Sequence, residues 1–185
     1  MDILEQELGI LPSSETEELF ERIKRSRERK RPHLPVRSSP YIGRQGERAD
    51  VIQMLSQPEC RLVTIVGLGG VGKTRFVTQI ISQLEYAFLD GAVFIPLASL
   101  QNADRIPDVI ANAVGLLFGG KRDPKLQLIE YLEEKEVLLV LDNFEHLIDG
   151  ASYLEQIWMS CPDLKILVTS RERLGLQHEW LYELR

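Results

Sequence analysis

From residue 41 onward, short and continuously apolar runs alternate with stretches whose apolar residues recur every three or four positions. The runs at 61–66, 92–96, 137–141, 166–168 and 180–184 read as strands. Helical spacing appears over 47–56 (Val51, Ile52, Leu55), 73–86 (Phe76, Val77, Ile80, Ile81, Leu84) and 104–114 (Ile106, Val109, Ile110, Val114), and again around Tyr153, Leu154, Ile157 and Trp158. Asp123-Pro124 opens one more helix, running through Leu132, with aspartate as cap and proline in the first turn. Strands that are apolar at every position are buried on both faces. The pattern therefore predicts an α/β three-layer sandwich, a five-stranded parallel sheet with helices on both sides. Trp158, Trp180, Phe118 and the methionines suit its core.

The first 40 residues follow a different rhythm. Ile3, Leu4 and Leu8 mark a short helix ending at Gly9, and Ser14 with Glu17 forms a capping box before a second helix carrying Leu19, Phe20 and Ile23. Pro32, Pro35 and Pro40, with Ser38 and Ser39 among them, make 32–40 an extended linker. The domain plan is thus a helical appendage over 1–31, a linker over 32–40 and a core over 41–185. Two short helices cannot bury a core of their own.

Composition narrows the function classes. Hydrophobic content of 44% and charged content of 27% are those of a soluble globular chain. No apolar run reaches membrane-spanning length, and the acidic start Met1-Asp2-Ile3-Leu4-Glu5 is not a secretion signal, so a cytoplasmic protein without a membrane partner is expected. Cys60 and Cys161 have no metal-ligand spacing and read as reduced bystanders. A net charge of −6 argues against direct nucleic-acid binding. The basic stretch from Arg22 to Arg31 reads either as a contact for an acidic partner or as a solvated helix end. It has no interleaved aromatics to stack on bases, which favours the helix end.

Between the first apolar run and the helix at 73 stands Gly67-Leu68-Gly69-Gly70-Val71-Gly72-Lys73-Thr74, a complete G-x-x-x-x-G-K-[ST] loop in strand-to-helix context. Glycines let the backbone wrap phosphates and turn its N–H groups inward, and the following helix points its positive end at them. Lys73 is placed for the β- and γ-phosphates and Thr74 for Mg²⁺. Gly67, Gly69 and Gly72 also fit a dinucleotide fingerprint. That fingerprint wants an acid at the end of the second strand, where Pro96-Leu97-Ala98-Ser99 offers none. The expected ligand is a nucleoside triphosphate.

Four further positions bear on its chemistry. Leu138 to Asp142, an apolar strand ending in an acid 68 residues after Thr74 (142 − 74), supplies a carboxylate for the Mg²⁺ shell. Many P-loop ATPases follow this aspartate with a glutamate that orients water; here the position is Asn143, a poor base. Glu145 either substitutes for it or is a solvated loop residue. Arg171 closes Val168-Thr169-Ser170-Arg171 at a strand tip, where it senses the γ-phosphate or else pairs with Glu172 or Asp163; the strand-end position favours sensing. Slow hydrolysis is expected, with Lys73, Asp142, Asn143, Glu145 and Arg171 as the reacting-side set.

Tyr41-Ile42-Gly43-Arg44, the 66–74 loop, Leu139 to His146, and Val168 to Leu174 resemble, in this order, the motifs of NB-ARC-type STAND P-loop ATPases. The resemblance is strongest to the branch found in bacterial transcriptional regulators. It implies a switch that rests with ADP and becomes competent to oligomerise or release an output domain with ATP. It further implies that Ile42, Gly43 and Arg44 lie against the adenine, that Gly67, Gly69, Gly70, Val71, Gly72, Lys73, Thr74 and Arg75 hold the phosphates, and that Thr74 and Asp142 serve Mg²⁺. Residues 8–23 are similar to the last helices of a bacterial transcriptional activator domain. Family members continue into a helical lid and a winged-helix domain. With the chain ending at Arg185, an open site, weakened nucleotide affinity and little turnover are expected, and protein partners or self-association would act through those further domains. A different class, a non-catalytic interaction module stabilised by nucleotide, remains the alternative. A GTPase is disfavoured, since no Asn-Lys-x-Asp stretch occurs.

Overall fold

The computed structural model describes residues 43–84 and 87–185, together with Ser13, Thr16 and Phe20. The chain divides into two units, Met1–Arg31 and Pro32–Arg185; the strands and helices below all belong to the second. The appendage helices with their Ser14–Glu17 capping box, the linker, and Tyr41 and Ile42 lie outside the described residues. Within the first unit, the Ser13 hydroxyl accepts the Thr16 amide at 3.3 Å.

The elements run α1 (Gln45–Ser56), β1 (Leu62–Val66), α2 (Lys73–Leu84), β2 (Ala92–Pro96), α3 (Ile106–Val114), α4 (Pro124–Glu133), β3 (Leu138–Asp142), α5 (Ala151–Ser160), β4 (Lys165–Ser170) and β5 (Trp180–Glu183). The five strands form one sheet in the order β2-β3-β4-β1-β5, with every pairing parallel. Successive residues of β3 point to opposite faces, as the strand period requires. Leu138 and Val140 join a core with Val51 and Leu55 of α1 and Phe76, Val77, Ile80 and Ile81 of α2. Leu139 and Leu141 join another with α3, α4 and α5, through Ile110, Leu132 and Ile157 among others. The three-layer sandwich predicted from the pattern is the observed fold.

Asp123 caps α4 as expected, its carboxylate accepting the Lys125 amide at 2.9 Å. The stretch expected to be α-helical from 104 instead opens with a 3₁₀ turn, Ala103–Arg105, before α3 begins at Ile106. Pro107 accounts for this: with no N–H to donate, it fits only the first turn of an α-helix, so the regular register starts just ahead of it. A further correction concerns β5. Its composition matches the inner strands, yet Trp180 is 39% and Leu181 50% exposed, because β5 is an edge strand paired to β1 alone. Only Tyr182 of that strand turns inward, stacking on Phe76 with ring centroids 6.3 Å apart. Met159 likewise lies on the outer side of α5 rather than in the core. Cys60 and Cys161 are free and buried. Burial pushes each thiol up to about 11, so both remain protonated and inert at neutral pH.

Candidate nucleotide-binding site

From β1 the chain crosses to the far edge at β2, works back through β3 and β4, and then passes over β1 to β5. Connections thus leave the neighbourhood of β1 toward opposite sides, and the crevice outside the carboxyl ends of such strands is where ligands bind in open α/β sheets. Residues 67–72 occupy that crevice. Gly67 packs so closely against the end of β5 that a Cβ there would sit 2.6 Å from the Leu184 carbonyl oxygen, so no other residue fits without movement. Gly72 holds φ at 96°, the left-handed region open to glycine. A Cβ placed at Gly70 or Gly72 would meet nothing within 4 Å, so this side of the loop faces open space.

Lys73 and Thr74 begin α2 directly after the loop. The Lys73 ammonium donates to the Gly67 and Leu68 carbonyls at 2.7 and 3.1 Å, which holds the charge over the loop mouth. The Thr74 hydroxyl lies 3.0 and 2.9 Å from the two Asp142 carboxylate oxygens and donates to them. These two residues stand 68 positions apart, and the sheet order places an entire strand, β4, between β1 and β3. Arg75 follows on α2, and Val71 is partly buried against the α2-side core.

β4 contributes a residue to which the sequence motif gave no role. Thr169, 1% exposed, donates its hydroxyl proton to Asp142 Oδ1 at 2.6 Å. The Thr169 hydroxyl oxygen in turn accepts the Asn143 amide at 2.9 Å, and the Thr169 carbonyl accepts the Phe144 amide at 2.9 Å. Asn143 adopts a left-handed conformation, φ 70°, which asparagine tolerates better than most side chains. The turn that follows is pinned by Phe144, fully buried, and by a Leu147 N–H to Phe144 carbonyl bond of 2.8 Å. No local signal singled out Thr169, since Ser170, which ends β4, carries a hydroxyl as well.

The turn delivers Glu145 to Arg171. The Arg171 Nε lies 2.9 Å from Glu145 Oε1, with the arginine 67% and the glutamate 15% exposed. Arg171 therefore pairs with Glu145, not with Glu172 or Asp163, and Glu145 is no solvated loop carboxylate. The guanidinium also lies against the phosphate loop, 3.7 Å from where a Gly69 Cβ would stand. His146, next in the turn, bonds the Leu100 carbonyl at 2.6 Å and ties the turn to the segment after β2. Beyond it lies an open hollow of about 570 Å³ bordered by Asn102, Lys125, His146 and Asp149, to which no phosphate-loop residue contributes.

Ile42 is outside the described residues; Gly43 and Arg44 are both left-handed, at φ 88° and 57°. Arg44 donates from Nη2 to the Arg185 carbonyl at 2.7 Å, one residue beyond the Leu184 carbonyl that packs on Gly67.

The donor set fits Mg²⁺. Thr74 and Asp142 supply convergent hard oxygens, and no cluster of three or more His, Cys, Asp or Glu forms a metal cage among the described residues. Mg²⁺ is characteristically held by one or two side chains plus substrate phosphates.

A five-stranded parallel sheet of this order, with a glycine loop at the tip of β1 and a carboxylate on β3 meeting its threonine, defines a P-loop NTPase fold. Within that class the chain belongs to the NB-ARC domain family, whose model matches residues 44–174. It is 37% identical over 140 residues to the uncharacterized protein Rv0894 of Mycobacterium tuberculosis, covering 75% of this chain and 35% of that one. A second protein of that organism, Rv0890c, provisionally named an HTH-type transcriptional regulator, is 41% identical over 120 residues, covering 64% of this chain and 13% of that one. The chain thus spans about a third or less of the length of the curated relatives it matches. Among solved structures it resembles PH0952 of Pyrococcus horikoshii, a STAND protein with a tetratricopeptide repeat sensor. The TM-score is 0.56 at 18% identity, covering 83% of this chain and 24% of that one. Among the described residues no helix is long and apolar enough to cross a membrane.

Proposed function

We propose that this chain is the ATP/ADP-binding core of a nucleotide-operated switch, and that the switch serves transcriptional regulation. The observation that carries the reading is the convergence of Thr74 and Asp142 at the mouth of the glycine loop, across an intervening strand. Loop amides and the first turn of α2 receive the phosphates, Lys73 neutralises them, and Gly43 and Arg44 with Ile42 line the base side. When bound, Mg²⁺ would offset the charge of the phosphates. Thr74 and Asp142 would hold it. Arg171, against Gly69, is the residue that reads the γ-phosphate.

Turnover is slow or absent in this reading. The position after Asp142 is asparagine, and Glu145 is engaged with Arg171 rather than with a water that would attack the nucleotide. A binding switch needs discrimination between ATP and ADP more than it needs chemistry. The regulatory assignment draws on the name of the M. tuberculosis relative Rv0890c, and partner or self-association is expected to involve domains that flank this core. Free buried cysteines and the acidic charge suit a cytoplasmic setting.

Isothermal titration with ATP·Mg²⁺ and with ADP, beside Lys73→Ala, tests the reading. Saturable binding that weakens at least about thirtyfold in the variant is expected, the cost of removing one partner from a close charge pair. Equal heats from both proteins would overturn the phosphate site and leave the fold as a protein-interaction module.

A further inference from the structure

We propose that Thr169 is the positioning residue of the Mg²⁺ side of the site, setting the orientation of the Asp142 carboxylate from the neighbouring strand. The proposal rests on the nucleotide-site reading above and adds to it a residue that never touches ligand. At 1% exposure, Thr169 cannot reach a phosphate or a cation. What it can reach is fixed by strand order. β4 lies between β1 and β3, and its pairing sets Ile65 beside Thr169 on one side and Leu141 beside Val168 on the other. The next step along each strand brings Thr169 level with Asp142.

A hydroxyl has one proton and two acceptor sites. Thr169 donates the proton to Asp142 Oδ1 at 2.6 Å, a short bond of the charge-assisted kind, and uses an acceptor site for the Asn143 amide at 2.9 Å. Thr74 also bonds Asp142, but its single proton is shared between both carboxylate oxygens, at 3.0 and 2.9 Å. Thr74 is itself expected to turn its oxygen to the cation, so its hold on Asp142 changes when the cation arrives. The Thr169 bond is unaffected by that event. It leaves Oδ2 directed toward Thr74 and anchors the first residue of the left-handed turn at Asn143. Partners that orient a ligating carboxylate in this way contribute about tenfold to a hundredfold to metal affinity.

Valine has the shape and strand preference of threonine without the hydroxyl, so Thr169→Val removes both bonds at small cost in volume. The experiment titrates the whole chain with a fluorescent ATP analogue in EDTA and at graded Mg²⁺, for the parent, Thr169→Val, Thr169→Ser, Asp142→Ala and the Asp142→Ala/Thr169→Val double variant. In Thr169→Val, binding in EDTA should stay within about twofold of the parent, while the Mg²⁺ concentration giving half the gain in affinity rises about tenfold. Thr169→Ser should restore the parent curve, and in the Asp142→Ala background the valine should change nothing further. If valine prevents folding, Thr169→Ala removes the same hydroxyl and is read in the same way.

A purely structural role predicts equal losses with and without Mg²⁺, and that result overturns the proposal. So does an unmoved Mg²⁺ curve in Thr169→Val, or a parent that binds nucleotide but is indifferent to Mg²⁺. A parent that binds no nucleotide under either condition overturns the nucleotide-site reading, and this proposal with it.

Discussion

Around the phosphate loop, Thr74 meets Asp142 at 2.9 and 3.0 Å, and the carboxylate is only 7% exposed, with Thr169 bonded beneath it. On the other side of the same crevice, Arg171 meets Glu145 at an equal 2.9 Å, yet the arginine is two-thirds exposed. Bond lengths alone do not distinguish the two halves. Their surroundings do: a buried, multiply bonded carboxylate is held by desolvated hydrogen bonds that are costly to break, whereas an ion pair whose arginine stands in solvent is partly screened and gives way more readily to a competing anion. One half of the crevice is built to stay as it is, and the other to be displaced.

The comparison breaks most completely at Phe144, the buried ring between Asp142 and Glu145. Phe144→Ala should destabilise the chain by about 3–5 kcal/mol, measured as a fall in the chemical-denaturation midpoint. The loss should fall on both halves, since the ring anchors the turn leading to Glu145 and packs with Leu141 and Val168 in the same core. A midpoint within experimental error of the parent would mean the turn stands without its anchor.

A smaller effect isolates the fixed half. Gly67→Ala drives a methyl to 2.6 Å from the Leu184 carbonyl, a backbone atom with little freedom to retreat. The expected cost is about 1–3 kcal/mol, as for other overpacked sites. Nucleotide affinity should fall as well, while the ATP-to-ADP ratio stays unchanged, because the γ-phosphate side is untouched. A shift in that ratio would show that the halves are coupled through the loop.

These halves were also unequally legible in the amino-acid sequence. The loop could be read because its requirements are local: glycines where the backbone must turn or come close, then lysine and threonine at the helix start. Asp142 was readable from its place at the end of an apolar strand. The Arg171–Glu145 pair was not, because 26 residues separate its members and their meeting depends on β3 and β4 being neighbours. Thr169 was hidden for the same reason, its role being created by the strand that happens to lie between two others. β5 misled in the opposite direction. Trp180-Leu181-Tyr182 reads like a core strand, and only the sheet order reveals an edge with Trp180 and Leu181 turned to solvent.

The smallest expected effect on stability is the sharpest test of displaceability. Glu145→Gln keeps the shape of the side chain but removes the charge that holds Arg171, so folding stability should change by less than about 1 kcal/mol. Nucleotide discrimination should move further. With its carboxylate competitor gone, Arg171 is free to turn to the γ-phosphate, and competition titrations should show affinity for ATP rising several-fold relative to ADP. Arg171→Ala should move the ratio the other way. If Glu145 acts only by holding the arginine, the double variant should match Arg171→Ala alone, since pair contributions in direct contact are not additive. Equal changes in ATP and ADP affinity in Glu145→Gln would instead place Glu145 among the parts that stay fixed, and the two sides of the crevice would no longer differ in kind.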